Sequence, residues 1–522
     1  VSTPDAPAFK YVDLFAGIGG FHAVLDAMGG ECVYAVEIDP AAQAVYEANW
    51  GSRPLGRNAN GDITLDTASP DTAVPEHDVL VAGFPCQPFS KSGKQQGMDE
   101  TRGTLFFNIM EIVRHRRPAV VLLENVRNLA GPRHTHEWHV IIQRLRDAGY
   151  RVSHKADILS PASFAPEFGG HPQTRDRVFI AATRVEPLEI SEEYRRLAKE
   201  GRLDLPDPLA PYDEPLPVGN LRMTDEWDLV KHLPLDITIT DDGSVSEAEW
   251  TWIEHWDAWV QQTRQMLASE ADRAGAKAKD LPGFPIWAHV WTTDQNERDT
   301  ALADAAGMAW KVSHLRKNYE LFDRLRAYDS KWLGTWLGRT RQFPESRQKF
   351  EWQAQDAPSI LQCVISFRPS GLRVKRLTHL PALVAISQTP IIGPLRRRLS
   401  IKEGALLQGL PEGFKWPQKD AATWKQLGNG VNTGVVARAL WAQVTRDLDL
   451  LQFDRRGQSI HDAVTKTLAQ DGNLELSIQA AWERSQASLA KRPETEDASA
   501  VAEDRAGSSL FAVPAMPATA TL

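Results

Sequence analysis

The chain has 522 residues, with 59 Lys and Arg against 68 Asp and Glu and a formal net charge of −9. That length exceeds one small core and predicts about two to four structural units. Hydrophobic residues at 42% and charged residues at 24% match a globular protein, and no apolar run approaches the roughly 20 residues of a membrane span. Only Cys32, Cys86 and Cys363 are present, which leaves no material for a disulfide framework or a four-ligand zinc site, so no metal is expected. The opening VSTPDAPAFK has neither the basic start nor the apolar stretch of a secretory signal, and a cytoplasmic location is the expectation.

Residues 9–185 alternate short apolar strands with helical patterns, the rhythm of a mostly parallel sheet covered by helices, and are read as one α/β domain. YVDLFA opens as a strand, and DLFAGIGGF then puts Gly17, Gly19 and Gly20 before a helix, where glycine allows a sharp turn and close approach to a ligand. CVYAVEID is the next strand. Glu37 stands at its end, where a carboxylate can accept bonds from two ribose hydroxyls. A glycine turn followed by an acid fits a dinucleotide enzyme or a plain tight turn as well. A helix follows from Pro40, and GDI at 61–63 reads as a third strand end bearing Asp62, either an adenine-amino acceptor or a helix cap.

The strand DVLVAG leads into AGFPCQPFS, where Pro85 and Pro88 restrict the loop that carries Cys86. A lone cysteine fits a small buried hydrophobe, but strand ends of an open α/β sheet converge on the ligand crevice. A long helix near Leu105 to His115 precedes AVVLLENV, whose end presents Glu124 and Asn125. Burial there raises a carboxyl pKa and suits it to proton donation, and a thiolate beside such an acid suits attack on an electron-poor ring.

Residues 186–395 change character to segments rich in Trp, Pro and charge, such as EWTWIEHWDAW, whose tryptophans at helical spacing read as core. From Ala357 to Lys402 there is no Asp or Glu, while Arg368, Arg373, Lys375, Arg376, Arg396, Arg397, Arg398 and Lys402 all fall there. The run is a phosphate-facing candidate or an ordinary solvated face. Regular patterning returns over 396–450, with KQLGNGVNTGVVARALWAQV reading as a loop entering a helix. Residues 451–493 are read as a helical extension, and 494–522, rich in Ala, Glu, Ser and Pro, as a disordered tail.

Together these strings resemble the DNA (cytosine-5)-methyltransferase family of bacterial, restriction-modification-like type, across roughly 10–185 and 395–445. DLFAGIGGF is similar to its first cofactor motif, GFPCQPFS to its catalytic loop, RGTLFFNIMEIVRHRRP to the following helix and ENV to its acid motif. PQTRDRVFI, LLQGLP and QLGNGVNTGVV follow in the family's order. The resemblance implies a Rossmann-like S-adenosylmethionine-dependent methyltransferase domain plus a smaller target-recognition domain over 186–395. It implies Cys86 as nucleophile, Glu124 as the acid at the ring nitrogen, and Arg175 and Arg177 near the flipped base and its phosphates. It also implies cofactor contacts from Phe15, Gly17, Glu37, Ile38, Asp62, Ile63, Pro85, Leu105 and Asn429, together with Gly19 and Val431. Gln87, Ser90, Arg368, Arg373 and Arg376 are the expected DNA contacts.

Two departures, Gly430 for a frequent serine and Ile38 for a frequent aromatic, touch cofactor affinity rather than chemistry. The implied partners are double-stranded DNA and a cognate restriction endonuclease, with a monomer acting on DNA. The competing readings are a transfer-RNA cytosine-5 methyltransferase and an inactive DNA-binding homologue. The first has a reduced recognition region in its family, and the second usually loses the nucleophile or the acid.

Overall fold

The computed structural model describes residues 6–68, 72–85, 105–218, 226–383, 389–469 and 474–491. Cys86, Gln87 and Ser90, and the tail expected to be disordered, lie outside the described residues.

Buried parallel strands need apolar residues on both faces, and the first half of the chain supplies them as β1 (Phe9–Leu14), β2 (Gly30–Val36), β3 (Val79–Gly83) and β4 (Val120–Val126). These four pair in parallel in the order β2-β1-β3-β4. β5 (Tyr150–Val152) and β6 (Asp157–Leu159) share the far edge of β8 (Arg177–Arg184), which runs antiparallel to β4. Period-two alternation sorts the two faces. Tyr11, Val79, Val81, Val120 and Leu122 join one core with α1 (Gly20–Ala27), while Val12, Leu80, Ala82, Val121 and Leu123 join the other. The second core is closed by α4 (Leu105–Arg116) and α5 (Thr135–Asp147).

Because β2 and β3 lie on opposite sides of β1, the connections leaving β1 and β3 diverge, and a crevice opens outside the carboxyl ends of the strands. α2 (Pro40–Trp50) starts beside that crevice. The Asp39 side chain caps it through Ala41 N–H, Pro40 occupies the first turn, and Gly51 ends it at φ +81°. GDI does not end a strand. Gly61 and Asp62 are loop, and Ile63 starts α3 (Ile63–Asp66), because the Asp62 carboxylate caps that turn instead of extending a ladder.

A second sheet has its own core. It runs, edge to edge, β15 (Arg397–Arg398), β14 (Ile391–Ile392), β11 (Val364–Arg368), β12 (Gly371–Lys375), β10 (Lys349–Gln353) and β9 (Ile286–Trp287). Trp256 and Trp259 of the helix Glu247–Ala274 are fully buried against it, with Trp256 stacked on Phe350 at 4.8 Å. These tryptophans are core, as the sequence implied. β13 (Leu380–Pro381) carries the chain back and pairs with β7 (Gln173–Thr174), just ahead of β8. The second sheet closes through β14 (Ile391–Ile392) and β15 (Arg397–Arg398), so it reaches a few residues past 395.

Segment 425–429 belongs to a helix, Asp420–Asn429, and the loop before the helix Thr433–Arg446 is only Gly430 to Asn432. The latter helix is fixed to the main sheet. Gln443 donates to the Val121 and Ala182 carbonyls, and buried Asp447 accepts from Thr183 and Arg151. The helical extension returns to the crevice side, where Trp482 Nε1 donates to Asn49 Oδ1 at 3.1 Å.

Candidate active site and cofactor pocket

The crevice holds a cavity of about 430 Å³ lined by the ends of β1, β2, β3 and β4 and by Gln426, Gly428, Asn429 and Gly430. Phe15 and Gly17 form its glycine turn at φ +57° and +56°. For phenylalanine this left-handed backbone is strained by about 1–3 kcal/mol, and such strain concentrates at ligand sites. A Cβ added to Gly17 would meet nothing within 4 Å.

Glu37 braces the turn. Its Oε2 accepts from Gly17 N–H at 2.9 Å and its Oε1 from Asp39 N–H at 2.8 Å. Burial pushes this carboxyl above its ordinary range, against the pull of those two bonds. A carboxylate offers about four lone-pair sites, so two remain for hydroxyl donors. Ile38 beside it is 63% exposed at the rim. Asp62 takes the cap role its sequence allowed: Oδ1 accepts from Thr64 N–H and Thr64 Oγ1, and the residue also lines the cavity.

Glu124 ends β4 in the same cavity, 8% exposed, opposite Gly83 of β3. Arg177 Nε lies 2.9 Å from its Oε1. Burial raises the Glu124 pKa, and the Arg177 and Arg175 guanidinium groups oppose that rise. Asn125 does not offer a free amide to the crevice. Its Nδ2 donates to the Phe84 carbonyl at 2.8 Å and its Oδ1 accepts from Val126 N–H, so it pins the loop two residues ahead of Cys86. Pro85, which precedes Cys86, lines the cavity.

Of the expected cofactor residues, Phe15, Gly17, Glu37, Ile38, Asp62, Ile63, Pro85, Leu105 and Asn429 line this space. Gly19 and Val431 do not, and back the wall instead. A Cβ on Gly19 would come within 2.1 Å of Trp50 Nε1, and Val431 packs on Gly20. Arg177 is at the cavity, but Arg175 is not. It is 2% exposed, and its guanidinium donates to the Leu383, Gly428 and Gly430 carbonyls.

Sequence reasoning missed Asp39, whose Oδ2 accepts from Lys425 and Gln426 and ties the late helix over the crevice. The Asp-Pro pair signalled its cap; no local pattern signals a partner nearly four hundred residues away.

The acid-free basic run is largely neutralised in three dimensions. Arg373 pairs with Glu351 (Nε–Oε2 2.6 Å), Arg376 with Asp356, Arg396 with Asp241 and Glu254, Arg397 with Glu403, Arg398 with Glu249 and Lys402 with Glu412. All these acids lie outside the run. Among the described residues, Arg368 and Lys375 have no such partner, and they share the open face of β11 and β12 with Arg373. Burial and mutual repulsion lower the Lys375 pKa.

A parallel-sheet crevice with a glycine turn braced by Glu37 and a buried Glu124–Arg177 pair opening into one cavity has the build of an α/β enzyme's ligand site. Residues 9–444 match the family model for C-5 cytosine-specific DNA methylase. The Type II methyltransferase M.AluI of Cellulosimicrobium cellulans is 44% identical over 514 residues, covering 87% of this chain and 96% of that protein. M.HgiBI of Herpetosiphon aurantiacus is 27% identical over 82% of this chain and 95% of its own length. M.HhaI of Haemophilus parahaemolyticus is 42% identical over 34% of this chain and 49% of its own. The chain belongs to the C-5 cytosine-specific DNA methylase family and is a DNA (cytosine-5-)-methyltransferase. Among the described residues, no helix is long and apolar enough to cross a membrane.

Proposed function

We propose that the enzyme transfers the methyl group of S-adenosyl-L-methionine to carbon 5 of a cytosine flipped out of a specific double-stranded DNA sequence, as the modification half of a restriction-modification pair. The observation that carries this reading is that Glu124, backed by Arg177, opens into the same cavity as the Gly17–Glu37 turn.

The cavity's residues suit the cofactor. Its volume falls within the roughly 300–1,000 Å³ range of small-molecule sites, Glu37 keeps lone pairs for two ribose hydroxyls, Asp62 and exposed Ile38 suit the amino edge and the face of adenine, and Gly17 leaves room for the chain. When bound, the cofactor supplies an electrophilic methyl on a sulfonium.

The protein's part falls to Cys86, Glu124 and Arg177. The Cys86 thiolate adds to carbon 6 of the extruded cytosine, protonated Glu124 gives its proton to the ring nitrogen, and carbon 5 becomes nucleophilic enough to accept a methyl group. Loss of the carbon 5 proton to solvent then expels the thiolate, and the ring nitrogen returns its proton to Glu124, freeing the product. Arg177 keeps the Glu124 carboxyl aimed at the base. Arg368 and Lys375 are the cations left to meet DNA phosphate, with Arg373 held by Glu351. An endonuclease partner fits relatives named as Type II methyltransferases.

The test is expression of wild type and Cys86→Ala in a bacterial host lacking its own cytosine methylation, followed by bisulfite sequencing of the host genome. Protection within one short recurring sequence, with wild type alone, is expected. An unprotected genome in the presence of folded protein contradicts the reading.

A further inference from the structure

We propose that Arg175 is a positioning residue, a buried clasp that ties the cofactor loop to the chain returning from the recognition module, so that DNA seated on that module tightens the cofactor site. The inference rests on the cofactor reading of the cavity given above.

Arg175 follows β7 and precedes β8, and its N–H donates to Ser160 Oγ at 2.8 Å. Its Nη1 donates to the Leu383 carbonyl at 3.0 Å, and its Nη2 to the Gly428 and Gly430 carbonyls at 2.8 and 2.6 Å. Gly428 and Gly430 flank Asn429 and line the cavity. Leu383 lies two residues past β13, which pairs with β7 and ends the stretch that leaves the Arg368–Lys375 face. One guanidinium therefore joins segments 208, 253 and 255 residues away in sequence.

Among the described residues no carboxylate pairs with this guanidinium; burial and the neighbouring Arg177 charge weigh against it more than Glu124, itself held by Arg177, supports it. Its Nη1 and Nη2 are held by carbonyls and its buried Nε has no hydrogen-bond partner, so loss of any of those carbonyls leaves the charge still less compensated. Displacement of the Leu383 segment is therefore felt at Gly428 and Gly430, and the reverse holds. A residue outside the cavity then acts on the cofactor through the loop it fixes. Linkage makes the effect reciprocal, with DNA tightening the cofactor by the factor by which the cofactor tightens DNA.

The test uses full-length wild type and Arg175→Met, which keeps bulk and removes the donors. The dissociation constant of S-adenosylhomocysteine is measured by calorimetry with and without a duplex carrying the site mapped by bisulfite sequencing, alongside steady-state kinetics. Wild type should bind S-adenosylhomocysteine about fivefold or more tighter with duplex present. Arg175→Met should lose that difference and raise the KM for S-adenosylmethionine by about tenfold, with kcat at saturation within about threefold.

An unchanged coupling factor overturns the clasp, as does a collapse of kcat with cofactor affinity intact, which would mark a direct contact with the base. Wild type that binds no S-adenosylhomocysteine overturns the cofactor reading itself, and the clasp with it. Should Arg175→Met not fold, hydrogen exchange on wild type decides. Slower exchange of the 427–431 amides on adding duplex alone supports the clasp, and unchanged exchange there overturns it.

Discussion

At Glu124, burial and the Arg177 guanidinium act in opposite directions on one carboxyl, and the balance sets how much of it carries the proton it would donate under the proposed mechanism. Glu124→Gln keeps size and hydrogen bonding but cannot donate that proton, so kcat should fall by about 10² to 10⁴ with cofactor affinity little changed. Arg177→Met removes a charge that holds the Glu124 pKa down. The carboxyl then stays protonated to higher pH, and the basic limb of the kcat profile should move upward; a limb moving downward contradicts the assignment. Glu37 and Glu124 were legible because each ends an apolar strand on the ligand side of the sheet. Arg175 was not legible, since its partners are carbonyls more than two hundred residues away, and a sequence pattern does not separate a buried brace from a phosphate contact.

The elements of the sheet were the easiest to read, because strands buried on both faces show as unbroken apolar runs and helix starts show as Gly19, Asp39-Pro40 or Asn432. The misreadings came where one residue serves two jobs. Asp62 ends a short loop and caps a turn, so GDI looked like a strand end, and Gly428 sits inside a helix whose sequence suggested a loop. The helix Leu474–Ala490 shows what the extension does. Trp482 is 9% exposed, donates to Asn49 and packs near Gly413, so it fastens the C-terminal helix beside the wall behind the glycine turn. Trp482→Ala should lower unfolding stability by about 3 kcal/mol in urea titration. A change below about 0.5 kcal/mol would mean that this helix is not part of the cooperative unit.

On the scale of the molecule, the two sheets are joined by the β7–β13 pairing, by the Arg175 bonds and by Val364 and Ile392 of the second sheet packing in the main-sheet core; the Glu124 cavity belongs to the first sheet and the Arg368–Lys375 face to the second. Length suggested about two to four units and the change of character after residue 185 marked a second region; the structure added that acids outside the basic run neutralise most of it. The central claim is that Cys86 and Glu124 act together on a flipped cytosine at this crevice. It is tested most directly by incubating enzyme, S-adenosylmethionine and a duplex carrying 5-fluorocytosine at the mapped site. After methyl transfer, carbon 5 has no proton to lose, so the thiolate cannot be expelled. Mass spectrometry should find a covalent enzyme–DNA adduct on the peptide containing Cys86, dependent on S-adenosylmethionine and absent from Cys86→Ala. Bound duplex without an adduct in wild type, or an equal adduct in Cys86→Ala, would contradict the account.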